Sequence, residues 1–285
     1  MSVRIITDSA CDLTKTQADA LNLTILPLKT IFGEEEYLDG VTLSHQQFFE
    51  KLIESDCMPT TSQIPPHEFE AVFRSVKEAG DTAVVITLSS KLSGTWQGAH
   101  IALEGYEDCI HIIDSENVCI GEQLLVRHAC ALREEGMSAK EIAGILGWRR
   151  KDIHLIALLD TLEYLKRGGR ISGAAALAGS LLSIKPVLTV TDGEVHVLGK
   201  ARGSKNGSNM LREETAKCGG IDFAMPYALA YSGLDDSPLQ KYIADNESLW
   251  KDYTDELPVT TIGSAIGTHI GPGAIAVAFF ANTRR

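Results

Sequence analysis

Three short stretches of the 285-residue chain hold the residue types that could grip a small ligand or do chemistry on it. Thr60-Thr61-Ser62-Gln63-Ile64-Pro65-Pro66 reads as a hydroxyl-rich loop ahead of a helix, with prolines that suit the first helical turn. Ser89-Ser90-Lys91-Leu92-Ser93-Gly94-Thr95 joins an apolar strand to a helix. Gly267-Thr268-His269-Ile270-Gly271-Pro272-Gly273 reads as a loop whose glycines let backbone approach a ligand closely. Helix N-termini present free N–H donors and a positive dipole end, so hydroxyl-lined helix starts suit a small anion. Each stretch reads equally well as capping or turn hydroxyls with no ligand.

A catalytic reading takes Ser93 as nucleophile and His269 as base, which would make the chain a serine-dependent acyl hydrolase. No GxSxG elbow accompanies them, and no single Asp or Glu stands out as the orienting acid. His269 serves equally as a hydrogen-bond donor to a ligand headgroup. A phosphate- or sugar-binding regulatory module is a third reading of the hydroxyl stretches. A basic cluster, Lys166-Arg167-Gly168-Gly169-Arg170 with Lys200-Ala201-Arg202 and Lys205, could meet an acidic ligand or partner, or form a solvated helix end closed by the two glycines. There is no GxxxxGK[ST], no GxGxxG after a strand and no Asp-rich metal cluster, so the chain is not expected to be a kinase by itself. Cysteines 11, 57, 109, 119, 130 and 218 form no CxxC and sit at no zinc-ligand spacing with histidine. They read as small buried thiols, and no cofactor or metal is expected.

The elements that must position these stretches alternate in the first half. Residues 3–7, 25–32, 83–88 and 110–113 read as strands, and 13–21, 66–79 and 123–135 as helices. Ser44-x-x-Gln47 resembles a capping box ahead of Phe48, Phe49, Leu52 and Ile53, which share one helical face. The continuous apolar runs at 83–88 and 110–113 predict strands covered on both faces. Strand–helix alternation predicts a mostly parallel sheet, with a site beyond the strand ends at Asp8-Ser9, Ser89-Ser90 and Asp114-Ser115. The second half changes style. Strands are expected at 153–159, 187–190, 228–231, 259–262 and 274–280, with a hairpin turn at Asp192-Gly193. The fold class is therefore α/β and two-lobed: an N-terminal lobe (1–155) with a mostly parallel sheet flanked by helices, and a C-terminal α+β lobe (156–285) with a mixed sheet. A cleft between lobes is the expected pocket.

Composition narrows the partners. Thirty-eight acidic against 26 basic residues give a net charge of −12, which disfavours a phosphate-backbone grip and docking on an anionic membrane. Asp8 comes too early for a signal-peptide apolar region. The nearly uncharged stretch 172–184 is shorter than the ~20 residues that span a bilayer. A cytoplasmic protein without membrane insertion or nucleic-acid partner is expected.

In order, IITDSACDL (5–13), YLDG (37–40), TSQ (61–63), LSSKLSGTWQGA (88–99), IIDSENVCIG (112–121), LEYLKRGGRIS (162–172), LSIKPVL (182–188), KARG (200–203) and IGTHIGPGAIAV (266–277) run from end to end of the chain. The set resembles the DegV family, fatty-acid-binding proteins that act as the acyl-carrier subunit of bacterial fatty acid kinase. The resemblance implies an internal tunnel for one long-chain fatty acid, whose carboxylate is presented to a separate ATP-dependent kinase subunit that makes an acyl-phosphate for phospholipid synthesis. It implies headgroup contacts from Thr61, Ser62 and Ser93, support from His269, and Arg170 and Arg202 as charge partners near the mouth or the kinase contact. Residues 174–182 are a plausible tunnel wall or a core helix. The chain departs from the family pattern at Ile64-Pro65, Cys119 and Glu122-Gln123, which bears on acyl preference more than on activity class.

Overall fold

The computed structural model describes residues 2–171 and 184–282; the expected tunnel-wall segment 174–182 lies outside the described residues. In chain order the first part comprises β1 (Val3–Asp8), α1 (Lys15–Ala20), β2 (Leu23–Leu26), β3 (Lys29–Phe32), β4 (Glu35–Leu38), α2 (His45–Glu54), β5 (Thr60–Ser62), α3 (Pro66–Glu78), β6 (Thr82–Thr87), α4 (Thr95–Ile101), β7 (Ile110–Asp114), α5 (Cys119–Glu134) and α6 (Ala139–Arg149). The second comprises β8 (Ile153–Leu158), α7 (Glu163–Gly168), β9 (Ile184–Thr191), β10 (Glu194–Arg202), α8 (Gly203–Lys217), β11 (Tyr227–Tyr231), α9 (Ser237–Asp245), β12 (Val259–Thr261), α10 (Ser264–Ile270) and β13 (Ile275–Phe280).

Among the described residues the strands form three sheets. A parallel sheet runs β2-β1-β6-β7, and a mixed sheet runs β10-β9-β8-β13-β11-β12, as the two styles of sequence predict. Cover on both faces does not extend to every apolar run: the central strand β6 is buried almost throughout, whereas β7, at the sheet edge, is only half covered. Asp192 and Gly193 both take positive φ and close the β9–β10 hairpin.

The third sheet, β4-β3-β5, corrects two expectations. The extended run 25–32 is split, because Pro27 has no N–H to continue a ladder. Leu23–Leu26 joins the parallel sheet, while Lys29–Phe32 turns into the small antiparallel one. The hydroxyl stretch at 60–62 is likewise a strand, with Thr61 paired to Thr30. Pro66 takes the first turn of α3, as expected.

The Ser44–Gln47 capping box is present, and Phe48, Phe49 and Leu52 are buried, but Ile53 is 62% exposed and falls off that face. α5 starts four residues earlier than its periodicity indicates. It contacts strands of both large sheets, so both of its sides are apolar and its start carries little amphipathic signal. Glu122 and Gln123 are buried there: the Thr7 hydroxyl donates to Glu122 Oε1 (3.1 Å), and Gln123 Nε2 donates to the Cys11 carbonyl (3.1 Å). Burial pushes the Glu122 carboxyl well above its ordinary range, and the nearby Asp8 charge adds to this. Of the cysteines, Cys11, Cys119 and Cys130 are buried, Cys109 and Cys218 half-buried, and Cys57 exposed. Cys57 departs from expectation because it follows α2 in a surface turn. No helix of the described residues is long and apolar enough to cross a membrane.

Candidate functional site

A cavity of about 300 Å³ opens where the C-terminal ends of β1 and β6 face α7 and α10. Its polar wall holds Thr61, Ser62, Gln63, Ser93, Arg170 and His269. Five of the six residues singled out in the sequence thus meet in one place, although they span more than two hundred positions. A smaller space of about 60 Å³ shares Val118, Leu165, Val195, Ile266 and Ile270 with this wall and continues between β8, β9, β13 and α5 with almost wholly apolar lining.

Arg202 lies elsewhere and does not line the cavity. It is the exposed last residue of β10, where alternation buries Ala201 and turns Arg202 outward. Of the charged residues in the LKRGGR segment only Arg170 lines the cavity: its Nε donates to the Leu92 carbonyl (3.2 Å) and its Nη1 to the Gly168 carbonyl (2.6 Å), which places the guanidinium at the rim.

His269 is in the last turn of α10, not in a glycine loop. Gly267 is required for helix packing: a Cβ there would stand 2.5 Å from Phe48 Cε1 and 3.0 Å from Phe49 Cζ. Gly168 is required by the imidazole itself, since its Cβ would stand 2.2 Å from His269 Nδ1. The ring pairs through Nε2 with Thr61 Oγ1 at 2.9 Å, while Nδ1 is buried with no hydrogen-bond partner among the described residues. Burial, reinforced by the Arg170 charge, lowers the His269 pKa to about 4 and keeps the ring neutral at pH 7. Proton counting then assigns the tautomer. Burying an N–H without an acceptor costs more than burying a bare nitrogen, so Nε2 carries the hydrogen and donates it to Thr61 Oγ1. The Thr61 hydroxyl proton is left free to point at an acceptor in the cavity.

Across the space, Ser93 Oγ accepts from the Thr95 backbone N–H (3.2 Å) and shares a 2.9 Å hydrogen bond with Thr95 Oγ1. The hydrolase reading needs Ser93 hydrogen-bonded to His269 and the ring oriented by an acid. Instead, Ser93 pairs with Thr95, the ring pairs with Thr61, and no carboxylate among the described residues meets Nδ1. What the arrangement can do is donate several hydrogen bonds to one oxyanion at the polar end of an apolar space. No group of three His, Cys, Asp or Glu among the described residues could hold a metal ion.

Sequence reasoning missed Gln63, whose side-chain amide fits against Gly94 so closely that a Cβ there would stand 1.9 Å from Oε1. It also missed the apolar lining residues from α10 and the β9–β10 hairpin, because the sheet that gathers them cannot be read from spacing.

Residues 2–282 match the family described as "Uncharacterised protein, DegV family". The chain belongs to the DegV family. It is 36% identical to a DegV domain-containing protein of Clostridium perfringens, with 98% of each chain covered. It is 34% identical to a relative from Caldanaerobacter subterraneus, covering 97% of this chain and 98% of that one. Among solved structures, a DegV family protein from Thermus thermophilus, described by its fatty acid binding, superposes with a TM-score of 0.88 at 30% identity, over 99% of this chain and 100% of that one. A stearic acid-binding protein from Eubacterium ventriosum gives 0.84 at 28% identity, over 98% and 97%. The DegV fold therefore accounts for both large sheets.

Proposed function

We propose that this DegV protein binds one long-chain fatty acid, with the carboxylate held by Thr61, Ser62, Ser93 and His269 and with Arg170 at the rim. The observation that carries the reading is the convergence of these five residues at one end of a cavity that continues into an almost wholly apolar space. The fatty-acid-binding relatives of the same fold support it. Burying about 14 methylenes at about 0.8 kcal/mol each contributes on the order of 11 kcal/mol before association costs. Hydrogen bonds to a charged carboxylate add about 1.5–3 kcal/mol each. The tail thus supplies affinity, and the head supplies orientation.

We further propose that the bound carboxylate is presented to a separate ATP-dependent kinase subunit that forms the acyl-phosphate. Phosphoryl transfer depends mainly on positioning and charge stabilisation. A carrier that fixes the acid with neutral donors leaves ATP and magnesium to its partner, and this chain has no nucleotide-cradling motif. Arg202, exposed and away from the cavity, is assigned to the partner surface rather than to the lipid.

Native mass spectrometry of the purified protein, with solvent extraction, tests the binding reading. A mass increment equal to one fatty acid is expected; the bare chain mass with no lipid in the extract overturns it. For the presentation step, acyl-phosphate is trapped with hydroxylamine in the presence of ATP, magnesium and a fatty acid kinase subunit. Undiminished trapping in the Thr61→Val, Ser93→Ala double variant would reject the headgroup assignment.

A further inference from the structure

Two polar rungs join α10 to the small antiparallel sheet. At the cavity, His269 in the last turn meets Thr61 of β5. In the first turn, Ser264 Oγ lies 2.8 Å from Thr30 Oγ1 of β3. Thr30 and Thr61 are directly opposite in the antiparallel register, so their side chains leave the same face of the sheet. The Ser264 hydroxyl donates to Asp39 Oδ1 (2.7 Å), and the Ser264 backbone N–H donates to the same oxygen (2.8 Å). With its one proton committed to Asp39, the Ser264 oxygen accepts from Thr30. Asp39 is itself fixed, because its backbone N–H donates to the Leu28 carbonyl just ahead of β3. All members of this rung are buried: Thr30 and Ser264 are 0% exposed and Asp39 is 2% exposed.

We propose that Ser264, held by Asp39 and Thr30, is a positioning residue that sets the rotation of α10 and thereby the Thr61–His269 pair at the cavity. The proposal rests on the carboxylate-binding reading above and deepens it. The backbone N–H groups of the first turn point along the helix axis and fix where α10 starts. The Ser264 hydroxyl adds a tie to Thr30 of β3, which bears on the angle of the helix against the sheet. Side-chain tips lie about 5–6 Å from a helix axis, so a rotation of about 10° moves the imidazole by about 1 Å. That displacement takes a 2.9 Å hydrogen bond beyond its useful range. The contacts of Phe48 and Phe49 at Gly267, one turn along from Ser264, are non-directional.

The test compares oleate with oleyl alcohol, which share a tail and differ at the head, and follows the His269 ring nitrogens by NMR. Wild type, Ser264→Ala, Ser264→Thr and Thr30→Val are measured as full-length protein. Ser264→Ala is expected to weaken oleate about tenfold while oleyl alcohol changes less than about twofold, with a shifted Nε2 resonance. Ser264→Thr keeps the hydroxyl and restores both readouts, and Thr30→Val, a near-isosteric swap, shows the same effects at smaller size. Should Ser264→Ala fail to fold, Thr30→Val decides. Equal weakening of both ligands, or an unmoved ring with oleate preference intact, overturns the positioning role while the cavity reading stands. Wild type that binds neither ligand overturns the reading on which the proposal rests.

Discussion

The two ends of α10 treat their polar groups differently. At the N-terminal end the Gly263 and Ser264 N–H groups donate to Asp12 Oδ1 (2.7 Å) and Asp39 Oδ1 (2.8 Å), within a region closed to solvent. At the C-terminal end His269 makes one hydrogen bond, to Thr61, and the Thr61 proton has no committed acceptor. At one end the N–H groups and the Ser264 hydroxyl find their acceptors within the chain, with only Asp12 Oδ2 and Asp39 Oδ2 left without a donor among the described residues of that end; the other keeps donors in reserve and faces a cavity. The contrast separates frame from site: buried groups that satisfy each other specify geometry, and half-satisfied groups beside an open space are available to a ligand.

The contrast is broken most strongly at Gly267. Gly267→Ala drives a methyl against Phe48 and Phe49, both 0% exposed, and is expected to cost about 2–3 kcal/mol, read from the urea midpoint. Unchanged stability would show that the aromatic rings yield and that α10 is not clamped at its middle.

The histidine end is exposed by acid. The His269 pKa of about 4 lies below its ordinary 6.5, so between those values the unfolded chain takes up a proton that the folded chain refuses. Its stability contribution is complete above pH 6.5 and is lost as pH falls towards 4, on the order of 2 kcal/mol for a partly screened ring. Asp8, raised to about 7 chiefly by burial, acts in the opposite sense: its folded form holds a proton that the unfolded chain releases above 3.8, so falling pH favours the fold through it. The difference between wild type and His269→Gln across pH 7 to 4 isolates the histidine. A constant difference would contradict the buried neutral ring.

Thr61→Val sharpens the comparison from the ligand side. A tenfold loss of fatty-acid affinity, about 1.4 kcal/mol, is expected with little change in melting temperature. A loss of stability without a loss of affinity would move Thr61 from site to frame. The smallest effect belongs to Arg202→Ala: lipid content stays at wild-type level, and reduced lipid would bring Arg202 back to the cavity.

Much of this was legible in the chain. Alternating apolar runs announced the parallel sheet, Asp192-Gly193 the hairpin, and Ser44 with Gln47 the capping of α2. The polar stretches around Thr61, Ser93 and His269 could be singled out because Gly and Pro set them apart from periodic segments, and the resemblance to the DegV family picked Thr61, Ser62, Ser93, His269 and Arg170 as the site. Thr30, Asp39 and Ser264 could not. A buried polar residue looks like a surface one until its partner is known, and Ser264 lies 234 positions from Thr30.

The sequence by itself determined most strands of the two large sheets and the helices α1, α2, α3 and α5, because periodicity, caps and turn residues act over a few neighbours. Only tertiary structure decided that Thr60–Ser62 is a strand, that His269 sits in the last turn of a helix, and that Arg202 points away from the cavity. Those outcomes depend on contacts between elements remote in the chain. Local spacing carries no information about which strand finds which edge, or which side of a helix a distant glycine leaves open.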